Sequence, residues 1–202
     1  EYYTKIKTVS ISDGVTSIGR CAFDGCNSIT TVTVADSVLS MGDYSFRSCS
    51  RLETAKLGNG ITSIGYRAFF ACDSLKTVTV PKAATVLGEG AFCYCSSLTD
   101  VIIPNGVKTI EAWTFYNCAS LKSVVIGSSV QSIGSSAFSG CKSLRTVSIP
   151  DNVTEIKDWA FGYCSDLRTV TIGTRVRSIA GYAFCGCSAI TDVYFNGSMM
   201  QW

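Results

Sequence analysis

Apolar and polar positions recur along this chain with a period of 23 residues that never slips. Phe23, Phe46, Phe69, Phe92, Phe115, Phe138, Phe161 and Phe184 mark the period, and a cysteine follows each by three positions, from Cys26 to Cys187. Five positions before each Phe stands an aliphatic residue or Met, as in Ile18, Met41, Leu87 and Ile110; six positions after it stands Ile or Leu, as in Ile29, Leu52 and Leu167. Two further apolar columns follow at plus nine and plus eleven, for example Val147 and Ile149, or Val170 and Ile172. Eight units in strict phase make internal repetition the governing feature of the sequence.

The periods inside a unit assign its parts. Leu144-Arg145-Thr146-Val147-Ser148-Ile149-Pro150 ends in a β-branched alternation of period two, which predicts a short strand. Turn residues follow, as in Pro104-Asn105-Gly106 and Pro150-Asp151-Asn152. The rest of the unit predicts a brief extended piece and then one helical or 3-10 turn carrying Ala-Phe-x-x-Cys, because 23 residues leave no room for a full helix. A single unit cannot bury its own apolar side, so neighbouring units must stack. The expected fold is a solenoid with a parallel β-sheet on one face and short extended pieces and turns on the other. With an opening strand at 5–12, eight repeats and a C-terminal edge at 193–202, residues 1–202 form one domain. Nine strands about 4.8 Å apart give a sheet roughly 40 Å long. The constant unit length fits that stack, since one inserted residue would break every column.

The unit Gly-x-x-Ala-Phe-x-x-Cys-x-x-Leu-x-x-Val-x-Ile-Pro-x-x-Val-x-x-Ile closely resembles the BspA-like class of leucine-rich repeats, over essentially the whole chain. Val193-Tyr194-Phe195-Asn196-Gly197-Ser198-Met199-Met200-Gln201-Trp202 resembles the Tyr-Asn-Gly-Thr…Gln-Trp ending of many bacterial arrays of this class. The resemblance implies a leucine-rich-repeat solenoid from a bacterial or trichomonad surface protein. It further implies a secreted or surface-attached adhesion module that engages host matrix proteins, cells or other microbes. It implies no enzyme chemistry, and the class has no shared binding motif to carry over.

Composition narrows the functional classes. Apolar residues make up 47% and charged residues 16%, with three prolines, which argues against disorder. No apolar run reaches the roughly 20 residues of a membrane span, and no signal peptide is present. The chain starts at Glu1, so it is expected to be a segment of a longer protein, with any anchor or leader elsewhere. A net charge of +2 gives no general case for nucleic acid. Histidine is absent, which removes the commonest general base and transition-metal ligand. No other catalytic spacing or phosphate loop stands out, so neither an enzyme nor a cofactor is expected.

Eleven cysteines cannot all pair within the chain. A linear column at strand spacing does not converge on a tetrahedral metal site. The column is therefore expected to be a small apolar filler of mostly free thiols, although disulfides between neighbouring coils are permitted by distance. Cys21, Cys93 and Cys185 lie off the column and are expected to be partly exposed.

The outward face of the sheet is the candidate binding surface. One column runs Thr8, Thr31, Thr54, Thr77, Asp100, Ser123, Thr146, Thr169, Asp192; the other runs Ser10, Thr33, Lys56, Thr79, Ile102, Val125, Ser148, Thr171, Tyr194. Most of these simply suit a solvated strand. Ile102 and Val125 do not, and with Tyr194 and Lys56 they are the candidate contacts. The same interruptions spoil the Thr lattice of an ice-binding face. Lys122, Arg145 and Arg168 share the plus-seven position in successive units, and no acidic residue occurs between Ala112 and Pro150. This basic edge suits an anionic partner such as a sulfated glycan or acidic protein, or else a solvated edge that discourages sheet pairing. Trp113, Trp159 and Tyr182 share the minus-two position, with Tyr94, Tyr116 and Tyr163 nearby. These aromatics either stack on sugars or cover the edge of the Phe column. Asn152-Val153-Thr154 and Asn196-Gly197-Ser198 are glycosylation sequons, with meaning only in a eukaryotic secretory pathway.

Overall fold

The computed structural model describes residues 5–197, which wind into stacked coils of 23 residues. The main sheet comprises β1 (Thr8–Ile11), β3 (Thr31–Val34), β5 (Thr54–Lys56), β7 (Thr77–Val78), β9 (Asp100–Ile102), β11 (Ser123–Val125), β13 (Thr146–Ser148), β15 (Thr169–Ile172) and β17 (Asp192–Phe195). Two-residue strands make a second side: β2 (Ser17–Ile18), β4 (Ser40–Met41), β6 (Ser63–Ile64), β8 (Val86–Leu87), β10 (Thr109–Ile110), β12 (Ser132–Ile133), β14 (Glu155–Ile156) and β16 (Ser178–Ile179). All pairing is parallel and joins equivalent positions of successive units, as in Thr8↔Thr31, Val124↔Val101 and Val170↔Val193. The repeat period therefore sets the register directly. The main ladder runs in three blocks, β1-β3-β5-β7, β9-β11 and β13-β15-β17. Pro81, Pro104 and Pro150 stand just past β7, β9 and β13, where they withhold an N–H from the ladder and keep those strands short.

The third side carries the Phe-x-x-Cys segment, and here the sequence expectation needs correcting. No helical segment occurs among the described residues. Each unit instead makes linked four-residue turns, seen around Phe138 as Ala137 N–H to Gly134 O, Ser139 N–H to Ser136 O and Cys141 N–H to Phe138 O. The alternate N–H groups, of Ser136, Phe138 and Gly140, donate to the next coil at 2.9, 2.7 and 2.8 Å. That alternation requires a left-handed residue two positions before and two positions after each Phe. Every described unit has both: Tyr44 and Ser48, for example, have φ of 56° and 58°, and Trp159 and Tyr163 have 58° and 57°. A helical turn cannot contain such residues.

The core is continuous from coil to coil. The eight Phe rings stack face to face, with centroids 4.9–5.4 Å apart and planes within 13°. The six inner rings are fully buried. The cysteine column does more than fill space. From Cys49 to Cys187, each thiol donates to the carbonyl of the Phe one unit and three residues back, for instance Cys118 Sγ to Phe92 O at 3.3 Å and Cys187 Sγ to Phe161 O at 3.0 Å. The same Phe carbonyl accepts the backbone N–H of its own unit's Cys. Both lone pairs of a buried acceptor are thus engaged, which an alanine column would not achieve. Burial pushes the Cys95 and Cys141 thiols well above the ordinary cysteine range.

All eleven cysteines are free thiols in the structure. Off the column, Cys21 is exposed and Cys185 half-buried, but Cys93 is buried, contrary to expectation. The Arg67 side chain crosses the bare Gly90 backbone beside it, and burial raises the Cys93 thiol to about 12. At the ends of the described stack, column residues Val15, Ile179 and Val193 are exposed for want of a covering coil.

Candidate binding surface

Alternation in the sheet strands turns plus-eight and plus-ten side chains outward, while plus-nine Val101, Val147 and Val170 enter the core. The outward columns are mostly Thr and Ser, as the sequence indicates. Ile102 and Val125 pair directly across β9 and β11 and are 65% and 53% exposed. The two side chains form one continuous apolar surface, since same-face neighbours on paired strands lie about 5 Å apart.

This surface lies in an open groove of about 780 Å³ spanning β7, β9 and β11. Beyond Ile102 and Val125 the groove includes Thr79, Lys82, Asp100 and Asn105. The groove's far side reaches the turn residue Pro104 and strand-end residues that the sequence did not single out: Val80, Ile103, Ile126 and Gly127. The one signal available for them was Pro104, which ends the strand that carries Ile102; Gly127 stands at the equivalent position after Val125. Lys82 and Asp100, both exposed, place one charge of each sign in the groove.

Lys56 and Tyr194 are exposed on the same column but do not line the groove. Lys56 stands two strands before Ile102, about 10 Å away, and Tyr194 three strands past Val125, about 14 Å away. The structure therefore joins Ile102 to Val125 and leaves the other two as flanking positions.

The basic residues form a row at the start of the strands. Lys122, Arg145 and Arg168 are all exposed and occupy equivalent positions of successive coils. The same column is self-neutralised earlier in the array, where Lys76 meets Glu53 at 2.8 Å. No ion pair engages Lys122, Arg145 or Arg168 among the described residues. Adjacent like charges at strand spacing repel by about 1 kcal/mol even in water, so the row favours a bound anion or splayed side chains. Lys122 directly precedes Ser123, which pairs with the groove residue Asp100, and stands three residues, about 10 Å, before Val125, so the row borders the groove.

No group of three or more His, Cys, Asp or Glu side chains is placed to hold a metal among the described residues. No helix there is long and apolar enough to cross a membrane.

The repeat and its geometry agree with the known family. The description "BspA type Leucine rich repeat region" matches in six copies, over residues 2–122 and 108–201. The chain belongs to the BspA-type leucine-rich repeat family. Solved leucine-rich-repeat structures share its fold. A T. pallidum leucine-rich repeat protein is 28% identical, with 91% of this chain and 78% of that one covered and a TM-score of 0.64. A leucine-rich repeat protein from Eubacterium ventriosum is 24% identical, covering 98% and 62% of the two chains at a TM-score of 0.65. The pneumococcal vaccine antigen PcpA is 17% identical, covering 95% and 60% at 0.51. No curated protein matches the chain's sequence. Repeat folds of this kind serve as binding or scaffold modules, through the extended surfaces that stacking creates.

Proposed function

We propose that this BspA-type array, as one solenoid domain over residues 1–202, is a non-enzymatic adhesion module displayed on or secreted from a cell. Its sheet face engages an extracellular protein or glycan. The observation that carries this reading is the adjacent exposed pair Ile102 and Val125, set in the groove across β7, β9 and β11. An apolar patch on an otherwise Thr- and Ser-rich sheet has no packing role within the chain, and such patches mark interaction sites. Lys122, Arg145 and Arg168 lie beside the groove and give the partner an anionic component, which steers association and makes it salt-sensitive. Lys56 and Tyr194 extend the contact along the same column. Membership of the family supports a surface location. A net charge of +2 does not support nucleic acid as the partner.

The Ser and Thr monotony of the remaining face favours a second reading, in which the array is only a spacer or assembly repeat. A scan that replaces outward Ser and Thr residues with Lys, one strand at a time, separates the two. A binding module loses capture of its partner when β7 or β11 is altered and keeps it when β1 or β3 is. A spacer loses nothing at any position.

A further inference from the structure

The turn side carries a second surface with its own geometry. Trp159 stacks on Tyr182 of the next coil at 4.9 Å and 9°, and on Tyr163 of its own coil at 5.4 Å and 18°. Tyr182 and Tyr163 remain 66% and 55% exposed, so a large part of each side chain meets solvent. These rings do not extend the Phe column, in which Phe161 and Phe184 stack on each other.

Backbone conformation sharpens the point. Trp159, Tyr163 and Tyr182 have φ of 58°, 57° and 62°, a region where glycine is free and a bulky residue is strained. The array shows that smaller residues serve at these positions, since Gly90 and Ser136 occupy the minus-two site and Gly140 and Gly186 the plus-two site. Strain retained for exposed side chains points to use rather than packing. Two glycines make room for the rings. A Cβ on Gly186 would come within 2.6 Å of Tyr163 Cδ1, and one on Gly162 within 2.8 Å of Trp159 Cε3. The rings thus lie against bare backbone. The exposed Asp158 carboxylate lies beside Gly181, whose added Cβ would sit 3.7 Å from Oδ1, next to Tyr182. Asp158 Oδ atoms have no hydrogen-bond partner among the described residues.

The geometry points to a glycan-binding platform formed by Trp159, Tyr163 and Tyr182 with Asp158. The negative face of an aromatic ring attracts the polarised C–H groups on the apolar face of a pyranose, and the carboxylate accepts from its hydroxyls. A protein hot spot would need a desolvated hollow for an anchoring side chain, whereas Tyr163 and Tyr182 stand exposed on an open surface. Lys157 faces Glu155 at 3.8 Å, so the surroundings carry no cationic row and suit a neutral sugar rather than a sulfated one. Trp113, exposed at the same minus-two position two coils earlier and about 10 Å away, lengthens the platform to fit an oligosaccharide. The site is on a different side from the sheet groove, and its failure leaves the sheet-face reading untouched.

The test is a tryptophan-fluorescence and calorimetric titration of the whole chain with linear hexasaccharides of glucose and of N-acetylglucosamine. Trp159→Ser with Tyr182→Gly reproduces residues that the array already uses at that position, so the fold should survive, and an unchanged melting temperature checks this. The platform predicts binding of at least one hexasaccharide, weakened about tenfold or more in this double variant. It also predicts severalfold weaker binding in Asp158→Asn and unchanged binding in Ile102→Lys/Val125→Lys. Absence of binding to both sugars, or equal binding by the Trp159/Tyr182 variant, overturns it. Loss of a protein ligand but not of a sugar in that variant overturns it too, by making the patch a protein contact.

Discussion

Replacing Phe115 with Ala tests how the array holds together. Phe115 is fully buried and stacks between Phe92 at 5.4 Å and Phe138 at 5.3 Å. Truncating a buried Phe costs about 3–5 kcal/mol, from lost transfer energy and the cavity left behind. Each ring stack adds about 0.5–1.5 kcal/mol beyond burial, and two are lost here, so the upper half of that range applies. The loss falls on one interface in the middle of the stack. Because each coil is supported only by its neighbours, the coils on either side of coil five should then unfold separately. Urea titration followed by circular dichroism and by tryptophan fluorescence reads this, since Trp113 sits in the altered coil and Trp159 two coils on. The expected result is a split transition with the two probes no longer coincident. Phe184 is only half-buried and stacks on one side, so Phe184→Ala should cost about half as much and leave the main transition single. A single sharp transition with an unchanged midpoint in Phe115→Ala would refute the nearest-neighbour picture.

The thiol column makes the fold sensitive to alkali. Burial raises Cys72, Cys93, Cys95, Cys118 and Cys141, and a thiol contact with Cys187 together with burial raises Cys164, all above the ordinary value of 9.0. A raised folded pKa contributes stability that is complete below the unfolded pKa and is lost as pH climbs from there towards the folded value. Each fully buried thiol thus costs about 1.4 kcal/mol per pH unit above about 9. Melting temperature should be level from neutral pH to about 8.5 and then fall steeply; a flat profile through pH 10.5 would contradict the burial of these thiols. The left-handed turn positions predict a pair of opposite effects. Ala71→Gly, at φ 56°, should raise stability by about 0.5–1 kcal/mol. Gly140→Ala, at φ 78° with its Cβ 2.9 Å from Asn117 Oδ1, should lower it by about 1–2 kcal/mol. Equal effects of the two in denaturant titration would argue against the linked-turn geometry.

The coil, its register and its core columns were legible because each column is chemically uniform: Phe, Cys, Leu and Val recur at fixed offsets, and parallel pairing joins equivalent residues. The pairing of Ile102 with Val125 followed from the same register. The turn geometry was not legible, because Trp, Tyr, Arg and Cys fill half of the left-handed positions and none of these announces a positive φ. The available signal was the scatter of Gly25, Gly90, Gly140 and Gly186 through those two columns. The thiol-to-carbonyl bonds were missed because cysteine reads as a filler until its acceptor is in place. The depth of the groove was missed because it depends on strand ends such as Pro104 and Gly127 rather than on the outward columns. The proposed ending around Met199 to Trp202 lies outside the described residues.

The central claim is that the sheet-face groove recognises a macromolecule. Its most direct test is binding of the purified chain to immobilised extracellular-matrix proteins and sulfated glycans at low and high salt, beside the Ile102→Lys/Val125→Lys variant. Selective binding that weakens with salt and is lost in the variant is the predicted result. Binding retained in full by the variant, or absent from both proteins, would contradict a site on this face.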